Sequence, residues 1–414
     1  MPVQSNSSQL PELQSMSSIG STIGAAGSCT GEILVKELLT RVWLLGPQLD
    51  NYSSTRCNRP TKMYFKVEAS MKALRGARSQ RRQIISIVLI ALTLFLWPTP
   101  RSFAAEPLLV VNSALNMLTV PLWVAKEKGY FHKYGLDVDT IYIPSGTMGM
   151  QALLAGETKI LAADGSSVVN ARLRGAPVKI FIGMVNFYPN PFFSTPDIKS
   201  YADLKGKKIA VTRIGSSSYT ATVMLMKKLG LEESRDYTIL QLGSTQNRLA
   251  ALTKGMIQGT TLSAPESVIA KNAGMKVLVS GSELAKLGIT IQHQCADVME
   301  SSLHNEFRPK LKAFAMGYLE GVRQVYRSKE NTVEVLKKYT RVTDPEVLSA
   351  SYDEAYQAID KDGALIEAGI QAQLADLVKT DPRAKGAQPS DFFDASIINE
   401  LHKEGFVKAL WASK

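Results

Sequence analysis

From Glu106 onward, short apolar runs alternate with amphipathic stretches, and a glycine closes nearly every stretch. Pro107 to Val111 reads as a strand. Pro121 opens a helix that ends at Gly129, with proline inside the start and glycine past the end. Leu136 to Ile143 is strand-like, Gly146 to Ala155 a helix stopped by Gly156, and Lys159 to Ala163 a strand. Ser166 to Arg174 is a helix stopped by Gly175, and Val178 to Met184 another strand. This alternation predicts a mainly parallel sheet flanked by helices.

Asn186 to Asp197 breaks the rhythm with Pro189, Pro191 and Pro196, and a second α/β unit follows. Its expected strands are Lys208–Thr212, Tyr237–Leu242, Ile257–Leu262 and Met275–Val279, and its expected helices are Ser216–Leu229, Thr245–Lys254 and Ala264–Ala273. Ile289 to Gln294 reads as one more strand. Beyond it, Glu306 to Leu401 is nearly all helical, with apolar positions such as Leu311, Phe314, Ala315 and Tyr318 at three- and four-residue spacing. The fold class is α/β with two lobes. Lobe one starts with residues 106–192 and is completed by 290–414, including the C-terminal helices, and lobe two is 193–289. Two crossovers between lobes make a hinge and a cleft.

A chain of 414 residues, 45% apolar, has material for such cores, and three cysteines exclude a disulfide-built scaffold. Only Cys295 lies in the body, which therefore has no internal disulfide. The net charge of +11 would suggest a nucleic-acid partner if it were spread evenly, but it is not. Residues 1–105 hold 12 basic and 5 acidic side chains, against 36 and 32 in the remainder. No nucleic-acid partner is expected. Lys72, Arg75, Arg78, Arg81 and Arg82, then fourteen uncharged residues from Ile84 to Trp97, then Ser102-Phe103-Ala104, form the three-part layout of a cleavable secretory signal over residues 71–105. Cleavage would leave Ala105 or Glu106 first; an uncleaved anchor is the rival. Either way the body is exported, which predicts a periplasmic protein. Residues 1–70 read as a non-native or disordered extension, with Met71 the initiator.

The readable catalytic motifs are absent. No two glycines are separated by a single residue, and there is no P-loop, C-x-x-C, H-E-x-x-H or G-x-S-x-G. His132, His293, His304 and His402 are scattered and read as surface or hinge residues, and no pair of candidate ligands has metal spacing. No catalytic residue, metal or cofactor is expected.

Polar residues gather instead where strands run into helices: Asn112-Ser113, Ser145-Gly146-Thr147, Asp164-Gly165-Ser166-Ser167, Gly215-Ser216-Ser217-Ser218-Tyr219, Ser244-Thr245 and Ser263-Ala264-Pro265-Glu266. In a doubly wound sheet these positions line the crevice, and helix N-termini there suit an anion. Helix capping alone accounts for any one of these loops. The set, spread over two lobes, points to a ligand cleft. Arg213 and Arg248 are available to supply positive charge, Phe187 and Tyr188 to stack at the first crossover, and Glu266 to meet an amine.

The run Pro121-Leu-Trp-Val-Ala-Lys-Glu-Lys-Gly-Tyr-Phe131, then Tyr134-Gly-Leu-Asp137, resembles the opening of substrate-binding proteins of ABC importers in the nitrate, taurine and aliphatic-sulfonate group. So do Ser145-Gly146, Leu153-Leu-Ala-Gly156, Ala202-Asp-Leu-Lys-Gly-Lys-Lys-Ile-Ala-Val211 and Leu249-Ala-Ala-Leu-Thr-Lys-Gly255. Related proteins bind the pyrimidine precursor of thiamine. The resemblance covers nearly all of residues 106–414. It implies the two-lobed periplasmic-binding fold and a monomeric receptor that hands a small anionic ligand to an inner-membrane ABC permease without chemistry. An enzyme on the same fold and a ligand sensor for a membrane receptor are the rival expectations.

Overall fold

A computed structural model describes residues 105–412; the expectations for residues 1–70 and for nearly all of the signal segment lie outside the described residues. Two five-stranded sheets carry the fold. The first comprises β1 (Glu106–Asn112), β2 (Leu136–Tyr142), β3 (Ile160–Ala163), β4 (Val178–Val185) and β10 (Gln294–Met299), in the order β2-β1-β3-β10-β4. The second comprises β5 (Phe192–Ser194), β6 (Lys207–Val211), β7 (Tyr237–Gln241), β8 (Gly259–Thr261) and β9 (Lys276–Val279), in the order β7-β6-β8-β5-β9. In each sheet one strand runs against the rest: β10 is antiparallel to β3 and β4, and β5 to β8 and β9. These two are the strands by which the chain enters the second sheet and returns to the first.

Alternation along the strands distributes the core over both faces of each sheet. In the first sheet, Leu108, Val110, Ala296 and Val298 pack with the long C-terminal helix Arg308–Arg327 and with helix Val120–Glu127. On the opposite face Val111, Leu161 and Cys295 pack with helices Gly146–Leu154, Gly165–Leu173 and Glu367–Leu377. The second sheet is covered by helix Ser217–Lys228 on one side and helix Thr245–Thr253 on the other.

Two sequence expectations are corrected. The segment Ile289 to Gln294 is not a strand: Ile289 and Ile291 are apolar because they pack into the core of the second sheet as the chain crosses back. The strand proper begins where that run ends, at Gln294. The proline-rich segment also contains β5, only three residues long, whose Phe192 and Phe193 are fully buried. The two crossovers lie side by side, with the His293 amide donating to the Val185 carbonyl at 3.0 Å. Among the described residues, no helix is long and apolar enough to cross a membrane.

Candidate ligand-binding site between the two sheets

The ends of β1, β2 and β3 face the ends of β6 and β8 across a partly open cavity of about 60 Å³ lined by polar and apolar groups. Of the residues singled out from sequence, Ser113, Ser145, Gly146, Tyr188, Ser216, Ser217, Ser218, Ser244, Thr245 and Ser263 line it. Ser145 holds φ 125°, a conformation costing on the order of 1–3 kcal/mol in a non-glycine residue. Its hydroxyl accepts the Thr147 amide at 3.2 Å. Gly146 is required by packing, since a Cβ there would stand 2.1 Å from Asp164 Oδ2.

Other residues of that set are placed elsewhere. Thr147, Ser167, Gly215 and Tyr219 border a separate outer groove of about 780 Å³. The Tyr219 hydroxyl donates to Glu233 at 3.0 Å, away from the cavity. Asn112 turns to the Ala114 carbonyl, Ser166 donates to Gln373 behind its helix, and Gly165 packs against Gln292. Phe187 is 39% exposed at the crossover and Arg213 is exposed. Glu266 is buried beside the cavity rather than in its wall, accepting from Gln246 at 2.6 Å while Oε2 has no partner among the described residues. Burial pushes its carboxyl up to about 7.

The wall also contains Asp164, from one of the polar loops singled out, and residues that sequence reasoning left out of the site: Asn116, Tyr142, Asn190, His293 and Gln294. His293 meets the hinge half of the expectation for the scattered histidines and not the surface half. It sits on the second crossover and is buried, with Asn190 Nδ2 3.1 Å from Nε2 and Ser217 Oγ 3.1 Å from Nδ1. Burial, and then the charge of Arg248, push its pKa down to about 3, so it is neutral at physiological pH. No local pattern marks this histidine. Only the adjacency of the two crossovers brings it there.

Asp164 changes the electrostatic picture most. It ends β3 and caps helix Gly165–Leu173, accepting the Ser167 amide at 3.0 Å on Oδ1 and the Ser167 hydroxyl at 3.0 Å on Oδ2. Oδ1 also crosses the cleft to accept the Ser217 amide at 2.9 Å. The helix N-terminus expected to receive a ligand anion therefore already holds a carboxylate from the other sheet. Burial pushes Asp164 up to about 6, against these hydrogen bonds, which favour the ionised form. Asn170, donating to the Gly215 carbonyl at 3.1 Å, and Lys227, 2.7 Å from Asp376, join the two halves on the outer side.

The cavity's positive group is Arg248, one turn into helix Thr245–Thr253. It is only 5% exposed. Nη1 donates to the Thr261 carbonyl and, at 3.2 Å, to the Thr260 hydroxyl; Nη2 donates to the Thr245 hydroxyl at 3.3 Å. Nε has no partner, and Arg248 makes no ion pair among the described residues. A guanidinium has five N–H donors, so these bonds leave part of its capacity unused.

The sequence model of the family described as NMT1/THI5 like matches residues 116–331, more than half of the chain. The chain is 24% identical over 227 residues to the riboflavin-binding protein RibY of Chloroflexus aurantiacus, a match covering 50% of this chain and 64% of that protein. Among solved structures, the alkanesulfonate-binding protein SsuA of Xanthomonas axonopodis pv. citri, bound to MOPS, superposes with a TM-score of 0.56 at 18% identity, covering 69% of this chain and 96% of that one. The periplasmic nitrate-binding protein NrtA of Synechocystis PCC 6803 superposes with a TM-score of 0.59 at 13% identity, covering 72% and 89%. At these identities the superpositions establish the fold.

Proposed function

The chain belongs to the NMT1/THI5-like family, and from that premise we propose that it is an exported solute receptor that closes its two lobes on a small anionic ligand and delivers it to an ABC permease. The observation that carries this reading is Arg248, a desolvated guanidinium in the cavity wall that makes no ion pair among the described residues, the buried Glu266 acting on it only through space. Burying an unpaired charge costs several kcal/mol. A ligand that brings the anion would recover that cost. The cavity volume of about 60 Å³ suits a few heavy atoms and not a flavin.

The polar groups favour binding over chemistry. With Asn190 donating to His293 Nε2, the ring proton sits on Nδ1 and is donated to Ser217 Oγ. His293 then does not withdraw a proton from Ser217, as a base-activated nucleophile requires. The names of the sulfonate- and nitrate-binding relatives are consistent with an anion. Signal-directed export is consistent with the periplasmic relative.

Calorimetric titration of the mature body against nitrate, short alkanesulfonates, 2-aminoethanesulfonate and riboflavin tests this. The expected result is one-to-one binding of at least one small anion, with the ligand recovered chemically unchanged and no heat from riboflavin. A ligand recovered as a different compound would promote the enzyme on the same fold, and absence of binding by every anion would remove the anion reading.

A further inference from the structure

Glu266 opens helix Glu266–Asn272 beside the cavity and is 3% exposed. Oε1 accepts from Gln246 at 2.6 Å, whereas Oε2 is buried without a partner from another residue among the described residues. Arg248 has the complementary defect, since its Nε is also buried without a partner. The two side chains form no ion pair with each other. Burial pushes the Glu266 carboxyl up to about 7, against its own amide, Gln246 and the Arg248 charge, which favour the ionised form. Helix Glu266–Asn272 packs against helix Thr245–Thr253, helix Pro345–Ala355 and β9. The first of these brings Arg248. Glu354 of the second is engaged by Lys271 at 2.5 Å and by the Ser267 hydroxyl, and Lys276 of β9 reaches the Ile198 carbonyl at 3.5 Å. Across the cavity stands Tyr142, whose hydroxyl is held protonated by burial and then by the Glu266 charge. Of these groups, Arg248 is the charge that acts on Glu266.

Resting on the anion reading above, we infer that Glu266 couples capture to a proton: an anion that meets Arg248 drives a proton from solvent onto the Glu266 carboxylate. Acting through Arg248, Glu266 thereby sets how tightly the cleft holds its ligand at a given pH. Charge balance gives the reason. Arg248 and ionised Glu266 cancel, a monoanion beside them leaves a net negative charge in a desolvated place, and one proton restores neutrality. Two anions around one guanidinium each disfavour the ionised form of the other. A nitrate or sulfonate stays ionised, so the carboxylate is the partner that neutralises. The new O–H bond forms on Glu266, and the ligand is unchanged. Because the anion raises the pKa of the carboxyl, linkage makes binding tightest where Glu266 already holds its proton. Affinity then falls as pH rises through about 7.

Nitrate and ethanesulfonate stay ionised between about pH 6 and 8, so a proton taken up on binding goes to the protein. Calorimetry in buffers of different ionisation enthalpy counts it, on the mature parent and on Glu266→Gln. The parent is expected to take up roughly half a proton or more per anion near pH 7.5, with affinity falling about five- to tenfold between about pH 6 and 8. Glutamine keeps an acceptor for Gln246 and does not titrate. The variant is expected to take up almost no proton, to bind about as tightly as the parent near pH 6, and to bind about five- to tenfold more tightly near pH 8. A merely structural role for Glu266 would not strengthen binding. If an anion binds the parent with no proton uptake, the coupling is overturned while the anion reading stands. Uptake that survives in Glu266→Gln also overturns it, by assigning the proton to another group such as Asp164. Should the variant not fold, the parent profile decides: a fall beginning near pH 7 supports Glu266, and one beginning near pH 6 belongs to Asp164 and overturns the inference. If neither anion binds and no other small anion does, the anion reading falls and the inference with it.

Discussion

Arg248→Met is expected to weaken binding of the anionic ligand at least about a hundredfold while leaving the unliganded protein melting at or above the parent temperature. The two halves of this result come from one fact. The guanidinium is 5% exposed and makes no ion pair among the described residues, so the unliganded fold carries much of its desolvation uncompensated, with Glu266 acting on it only through space. Its bonds to Thr245, Thr260 and Thr261 recover part of that cost. Methionine fills similar volume without charge, and the relief of desolvation offsets the lost bonds. In the complex the balance reverses, because charge-assisted hydrogen bonds contribute roughly 1.5–3 kcal/mol each and the substitution removes all of those made to ligand. If Arg248 merely braced β8, the pattern would be the opposite: a lower melting temperature and little change in affinity. Scanning calorimetry and a titration on one preparation separate the two.

Asp297→Asn is expected to raise the melting temperature by several degrees at neutral pH. Asp297 shares the face of β10 with Cys295 and is fully buried in the apolar layer containing Leu161 and Ile180. Burial holds its carboxyl well above the ordinary aspartate range, and the nearby Asp164 carboxylate adds to the effect. The folded state therefore keeps the proton over a range where the unfolded chain releases it. Stability is fully present below the unfolded value of about 3.9 and falls as pH rises toward the folded pKa. Asparagine does not titrate. Its advantage should accordingly be small near pH 3.5 and grow through neutrality, as followed by melting curves at several pH values. A constant difference across that range would mean that Asp297 is not held protonated in the fold.

Much of the architecture is legible in the chain because the cues are local. Pro121 inside a helix start and Gly175 past a helix end, with φ 90°, mark boundaries that tertiary packing respects. The helices expected at Gly146, Ser166, Ser216 and Thr245 start within a residue of those positions, whereas the one expected at Ala264 starts at Glu266. The errors arise where long-range packing decides. Ile289 and Ile291 look like a strand because they are apolar, but their partner is the core of the second sheet rather than a ladder. The true β10 contains Gln294 and Asp297, polar residues in a buried strand, and so hides its character.

The site was legible to the same degree. Serines at helix starts are placed around the cavity because caps in both lobes converge there. Asp164 reads as a cap from sequence and is one, but its second role, accepting the Ser217 amide 53 positions away, is set only by the approach of the two sheets. Arg248 is one of two arginines offered by the sequence, and the periodicity of its helix does not say whether it points inward or to solvent. His293 depends on the crossovers meeting, which no short-range pattern encodes.

A crystal structure of the mature protein with the tightest-binding small anion tests the central claim most directly. The account predicts the ligand inside the cavity between the two sheets, its anionic group hydrogen-bonded to Arg248 Nη2, with Thr245 and Ser217 in the surrounding wall. A ligand seated in the outer groove beside Tyr219, or anywhere that leaves Arg248 without an anionic partner, would contradict it.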